Sequence, residues 1–201
     1  MPDTSLSRFA GPIALTAGGA FAAIDLGRFA YFQDDRLAML AVPAFQVFNA
    51  AFFFTFPALL IALVALHGRQ AHRTGGFGTV AFCTAIVGTA ALGGDMWFDG
   101  FAGPWLADVA PQVFTAEKTP FLIAGAVTSF LLFALGWVLY ATASLRAAVF
   151  PAPISVAILL GGVAGFWAGS PPYGIPIGLA VGALGGWLIY ADRVARHPVA
   201  R

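Results

Sequence analysis

Six long stretches of the chain are strongly apolar, and short polar segments separate them. They run from about Ala10 to Phe32, Val42 to Leu66, Phe77 to Gly94, Pro120 to Ala143, Ile154 to Ala168 and Gly174 to Tyr190. Within each stretch the apolar positions are continuous rather than alternating, which reads as helix and not as half-buried strand. A helix needs about 20 mostly apolar residues to cross a bilayer. In lipid, only helices and closed barrels satisfy their own backbone groups. The pattern therefore predicts an all-α integral membrane bundle of six transmembrane helices, forming a single domain over residues 1–201.

Composition sharpens this expectation. The chain is 60% hydrophobic and 9% charged, whereas a soluble domain carries about 25% charged residues. So few charges cannot clothe a water-facing surface. The formal net charge of +1 gives no case for nucleic acid as a partner.

The placement of the charges predicts an orientation. With six spans, Arg8, Arg69, Arg73, Arg146, Arg193, Arg196 and Arg201 fall on one side, and only Arg28, Arg36 and Lys118 on the other. Short loops rich in Lys and Arg stay in the cytoplasm, so both termini are expected inside a bacterial plasma membrane. The acids run the opposite way. Asp25, Asp34, Asp35, Asp95, Asp99, Asp108 and Glu117 lie towards the outside, with Asp3 and Asp192 inside. An alternative takes Ser7 to Ala23 as a secretory signal cleaved near Ala20-Phe21-Ala22-Ala23, leaving five spans. Signal cores are roughly 7–15 residues long, and the apolar run here continues to Phe32, which favours a retained helix.

Small residues point to close helix packing. Gly161, Gly165 and Gly169 recur every four residues, as do Gly174, Gly178, Gly182 and Gly186. Such spacing lines one face of a helix and lets backbones approach in lipid. The link Ser170-Pro171-Pro172-Tyr173 makes the fifth and sixth spans antiparallel neighbours. The expected use of these faces is a tight hairpin, with a homo-oligomer interface as the runner-up. A weak repeat, Gln46-Val47-Phe48-Asn49-Ala50 against Gln112-Val113-Phe114-Thr115-Ala116, suggests three helix hairpins.

Candidate chemistry gathers on the acidic side. The segment Gly94-Asp95-Met96-Trp97-Phe98-Asp99-Gly100-Phe101-Ala102-Gly103-Pro104-Trp105-Leu106-Ala107-Asp108 interleaves carboxylates with large aromatics. It is too apolar to float in water and is expected to fold back as a short interfacial helix. Asp95 and Asp99 share a helical face, and paired carboxylates at a low-dielectric boundary cannot both ionise freely. That suits general acid–base work, with Glu117 and Asp25 as further candidates. The bland account is that Trp collects at membrane interfaces for anchoring. Asp25 and Arg28, three apart near a helix end, read as a structural ion pair, with Arg28 able to snorkel to the interface. Phe45, Phe48, Phe52 and Phe56 form a stripe that is either core or the wall of a chain-binding pocket. Gln46 and Asn49 would sit at its mouth, and Pro57 is expected to kink the helix.

Several chemistries are absent. The histidines, His67, His72 and His197, all lie on the basic side and read as parts of solvated basic segments. No haem ligand pair, metal cluster, phosphate-cradling glycine loop or GxSxG elbow appears. The single cysteine, Cys83, excludes an internal disulfide. No cofactor and no metal are expected.

These readings give a membrane-embedded enzyme or binder of a lipid or isoprenoid at the outer interface. Asp95, Asp99, Glu117 and Asp25 would be its acid–base candidates, and Trp97, Phe98, Trp105, Gln46, Asn49 and Phe52 would contact the substrate. A structural or accessory membrane subunit is the alternative, and an oligomeric small-solute transporter the second. The run Gly94-Asp95-Met96-Trp97-Phe98-Asp99-Gly100-Phe101, with Pro104-Trp105-Leu106-Ala107 after it, resembles small membrane proteins of high-GC actinobacteria. The resemblance implies a fold and a host type, and no activity.

Overall fold

The computed structural model describes residues 6–196. Asp3, His197 and Arg201 of the charge and histidine patterns lie outside them. Among the described residues the structure is helical and contains no strand. Helix α1 spans Ala10–Ala30 and α2 spans Arg36–Leu40. Helix α3 covers Pro43–Trp97 and passes through a π-helical stretch, Phe98–Ala102, into α4 at Gly103–Val109. Helix α5 is Gln112–Thr115, α6 is Pro120–Ala147, α7 is Ala152–Ala164 and α8 is Ile175–Arg196.

The expected loop between the second and third apolar stretches is helical on both sides of one residue. Gly75 has φ +58° and ψ −159°, a conformation essentially confined to glycine. It breaks α3 into two arms, 43–74 and 76–97. The arms fold back on each other along their length. His67 stacks on Phe82 at 4.1 Å, a Cβ on Gly93 would meet Phe56, and Gly100 lies against Asn49 and Ala50. All three pairings are centred on Gly75, so the arms form an antiparallel hairpin. Pro57, the expected kink, leaves helical φ/ψ intact.

Six rods result: α1, the two arms of α3, α6, α7 and α8. Each packs antiparallel to the next in sequence, and α8 closes the ring on α1. The close pairs are Gly27 with Phe48, Gly88 with Leu132, Gly162 with Trp137 and Gly161 with Ile177. The α8 glycines correct the hairpin reading. Gly178 meets Ala22, and Gly18 meets Gly178 and Gly182. The glycine face of α8 therefore serves α1, and α7 meets α8 through Gly161. Gly185, not Gly186, completes the ladder, because Gly186 faces open space. The repeat around Gln46 and Gln112 falls on unlike elements, the first turns of α3 and the separate helix α5.

Phe21, Phe52, Phe56, Phe133 and Trp137 fill the ring's centre. Large apolar side chains also cover its outside, among them Leu26, Phe54, Ile61, Val80, Leu131, Leu160 and Leu179, all exposed. Soluble monomers rarely leave apolar patches beyond a few hundred Å² uncovered. Four helical segments, Ser7–Ala30, Pro43–Val109, Pro120–Ala147 and Ile175–Ala195, are long and apolar enough to cross a membrane, and Ala152–Trp167 is a shorter apolar helix. By length and composition, six membrane crossings are thus not all reached by single helices; the Pro43–Val109 run has two arms.

The ring has two unlike ends. Arg8, Arg69, Arg73, Arg146 and Arg193 sit at the end that holds Gly75, with Asp192 bonded to Arg69. The other end carries the loops with Asp34, Asp35, Asp95, Asp99, Asp108 and Glu117. There α2, the first turn of α3, α4 and α5 build a small separate core from Met39, Leu40, Phe45, Ala107 and Phe114. Of the segment Gly94–Asp108, expected to fold back as one short helix, the first part instead prolongs α3 through the π-helical stretch, and only Gly103–Val109 forms the separate short helix α4. Asp35 caps α2 by accepting from the Leu37 and Ala38 N–H groups, as short acidic side chains do at helix starts.

Candidate functional site

Two features occupy the acidic end: a buried polar network and a lateral apolar groove. The network is centred on Arg28, which is 1% exposed, and Asp25, which is fully buried. Their spacing of three residues puts both on one face of α1. Arg28 Nη1 donates to Asp25 Oδ1 at 2.9 Å, Nε donates to Asn49 Oδ1 at 2.9 Å, and Nη2 donates to the Gly169 carbonyl at 2.7 Å. Asp25 Oδ2 accepts from the Gly174 N–H at 2.9 Å. The guanidinium also lies over the Phe52 ring, 4.3 Å from its centroid.

The network continues outward. Asn49 Nδ2 donates to the Asp99 carbonyl at 3.0 Å. The Asp99 carboxylate pairs with Arg36, and Arg36 lies over the Phe114 ring at 5.6 Å. One chain of contacts thus ties α1, the first arm of α3, the π-helical stretch, α2, α5 and the α7–α8 link together. The planar fork of an arginine can serve several acceptors at once, which an ammonium cannot do in the same geometry. The Asp25–Arg28 pair expected from the sequence is present. The expectation that Arg28 snorkels is overturned, because its head is fully engaged inside the protein.

The expected acid–base residues are not brought to one point. Asp25 and Asp99 share the network, each held by its own arginine. Asp95, in the last turn of α3, faces Ser129 of α6, and its Oδ2 is buried without a hydrogen-bond partner. Glu117 is exposed on the link before α6 and joins none of the ion pairs among the described residues. The expected substrate contacts also divide. Asn49 belongs to the network, and Phe52 is core beneath Arg28. The Gln46 amide donates to the Leu40 carbonyl at the end of α2. Phe98 and Trp105 are exposed, and Trp97 lines the groove.

The groove lies between the two arms of α3, in the half towards the acidic end. Its volume is about 350 Å³, and Phe53, Phe56, Pro57, Leu60, Thr89, Gly93, Gly94 and Trp97 line it. It exists because of its sequence. Gly93 and Gly94 remove two side chains from the second arm, and Pro57 faces them from the first. Pro57 has no N–H, so the Phe53 carbonyl lacks its usual helical donor.

Thr89, like Tyr140 and Ser155, departs from the pattern of the other hydroxyls of the bundle. Thr16, Thr55, Thr84, Thr128 and Ser129 each donate to a carbonyl of their own helix, which is how such residues satisfy themselves in apolar surroundings. The Thr89 hydroxyl is buried and has no partner. Spacing along the chain does not gather Thr89, Gly93, Gly94 and Phe53 into one site, because they meet only across the two arms of α3. The signal was there: a Gly-Gly pair on one arm and a mid-helix proline on the other.

Among the described residues no group of three or more His, Cys, Asp or Glu is gathered as a metal site would require. No family model, curated protein or solved structure matches this chain.

Proposed function

We propose that the chain is a six-pass protein of a bacterial plasma membrane that holds the apolar chain of a lipid or isoprenoid in the groove between the arms of α3. Both termini then lie on the cytoplasmic side, where the arginines gather. Six crossings are supported by the ring itself: the Gly75 hairpin supplies two, and α7 with its following turn supplies the shortest. The resemblance of the Gly94–Phe101 run supports the bacterial host.

The observation that carries the reading is the groove. It opens sideways, towards the exposed apolar wall of the ring, and its lining is almost wholly apolar. The Phe53 carbonyl, left without a helical donor by Pro57, is its polar feature, while the Thr89 hydroxyl is enclosed behind the lining. Pockets for apolar ligands commonly combine such walls with a few placed polar groups. Holding is favoured over transforming, because Asp25 and Asp99 are committed to Arg28 and Arg36. One observation favours a second reading, acid–base chemistry at Asp95: the buried, unpartnered Oδ2.

Gly94→Phe tests the proposal. No atom lies within 4 Å of a Cβ at Gly94, so the new ring enters the groove without a backbone clash. Displacing about three methylenes of a bound chain, at ~0.8 kcal/mol each, weakens its binding by about fiftyfold. Native mass spectrometry of the protein from mild detergent should show one retained chain-bearing molecule in the wild type and its loss in Gly94→Phe. Equal retention in both would refute the groove. Asp95→Asn should leave retention unchanged; under the second reading it alters the bound molecule's chemical state instead.

A further inference from the structure

The basic end of the ring carries two arginine clefts of opposite character. In one, Arg8 and Arg69 stand beside Asp192. Arg69 Nη2 donates to both oxygens of Asp192, at 2.6 and 2.5 Å, so that charge is matched within the protein. The other cleft lies between the Gly75 break and the end of α6. It has a volume of about 250 Å³ and is lined by Arg73, Thr74, Phe77, Ala143, Arg146 and Ala147. No carboxylate lines it, and neither arginine forms an ion pair among the described residues. Arg146 is braced over the Phe77 ring at 5.1 Å.

Two unmatched guanidinium groups lining one cleft select an anion, and phosphate oxygens fit their forked donors best. The surroundings select the source of the phosphate. Below the cleft, Phe77, Val80 and Val87 continue along one face of the second arm of α3, and all three are exposed. A free phosphate makes no use of that face; a phospholipid lays its chains there.

We propose that this cleft binds the headgroup of an anionic phospholipid, with Arg73 and Arg146 clamping the phosphate and the acyl chains lying on the Phe77–Val80–Val87 face. The proposal rests on the six-pass reading, which puts this end of the ring at the cytoplasmic headgroup layer. Basic pockets between transmembrane helices on that side are suited to anionic lipid heads.

The test is native mass spectrometry of the full-length protein in lipid-free micelles, titrated with phosphatidylglycerol, with phosphatidylcholine of the same chains, or with inorganic phosphate. Each arginine near an anionic headgroup contributes on the order of a fivefold change in affinity. Wild type should bind phosphatidylglycerol in preference to phosphatidylcholine, with inorganic phosphate a poor competitor. Arg73→Gln and Arg146→Gln should each lose about fivefold, and the pair more. Arg193→Gln, an equal loss of charge on the same end outside the cleft, should bind as wild type does. Both cleft arginines are exposed, so the single variants keep the fold, which the unchanged thermal midpoint without lipid verifies. Equal binding in wild type and cleft variants would overturn the site. So would an equal loss in Arg193→Gln, equal binding of phosphatidylcholine, or displacement by inorganic phosphate. Alkaline carbonate extraction of the wild type separates the two levels. Release from the membrane sinks the six-pass reading and this site with it; retention without lipid preference sinks this site alone.

Discussion

Arg28→Met is expected to destabilise the protein by about 3–5 kcal/mol, the usual cost of removing one partner from a buried ion pair. The change leaves Asp25 as a buried carboxylate held only by backbone N–H groups, that of Gly174 at 2.9 Å first among them. It also strips donors from the Asn49 side-chain oxygen and from the Gly169 carbonyl. A loss of that size lowers the thermal midpoint in mild detergent by roughly 6–20 °C for a chain of this length. Arg28→Lys keeps the charge but not the fork, and should recover only part of the loss. The informative control is the double variant Asp25→Leu/Arg28→Met. Buried pairs replaced together by apolar residues are often neutral, so the double variant should be more stable than Arg28→Met alone. A double variant as damaged as the single one would mean that the pair's charges are not the source of the effect.

Gly18→Leu is expected to prevent α8 from docking on α1, and so to abolish the folded state rather than weaken it. A Cβ at Gly18 would lie 2.5 Å from the Gly178 carbonyl oxygen, with the Gly182 backbone closer still. Those atoms are backbone and cannot rotate away, so the helices must separate. Overpacking a well-filled contact costs about 1–3 kcal/mol for a few methylenes, and separating two rods of the ring forfeits their whole contact face. Gly185→Leu should behave alike, since its Cβ would lie 2.6 Å from the Gly11 carbonyl oxygen. Gly19→Leu is the matched control: the same helix and the same chemistry, with nothing within 4 Å. Monodispersity in detergent reads the difference. Gly18→Leu and Gly19→Leu behaving alike would contradict the α1–α8 contact.

Much of this architecture was legible in the sequence because long apolar helices announce themselves as uncharged runs. The six apolar stretches match the six rods closely, and the charge asymmetry matches the two ends of the ring. The Asp25–Arg28 pair was legible because its partners are three residues apart on one helix. Its completion by Asn49, the Gly169 carbonyl and the Gly174 N–H was not, because those contacts cross between helices and leave no local spacing. The glycine ladder of α8 showed that a flat face exists, but spacing cannot say which helix fills it. The complementary run Gly11, Ala14, Gly18 and Ala22 on α1 held that information. The hinge at Gly75 was hidden by an opposite effect: polar residues around it read as loop, while the chain there stays helical and turns at one glycine.

The acidic end has a different character in the fold than in the sequence. Its carboxylates looked like an acid–base centre because they cluster in sequence with aromatics. In the fold, two of them are tied to arginines and act as fasteners for the helix ends. The apolar groove beside them arises from residues that carry no chemistry of their own. Glycine and proline create it by what they lack.

Both the groove and the basic cleft presuppose that the ring crosses the membrane six times with its two ends on opposite sides. Cysteine accessibility tests that directly. With Cys83 changed to serine, single cysteines replace Gly76 at the hinge, and Asp34 or Asp108 at the far end, all exposed positions. The account predicts that a membrane-impermeant maleimide added to intact cells labels the Asp34 and Asp108 positions, and labels the Gly76 position only after permeabilisation. Labelling of the Gly76 and Asp108 positions from the same side would contradict it.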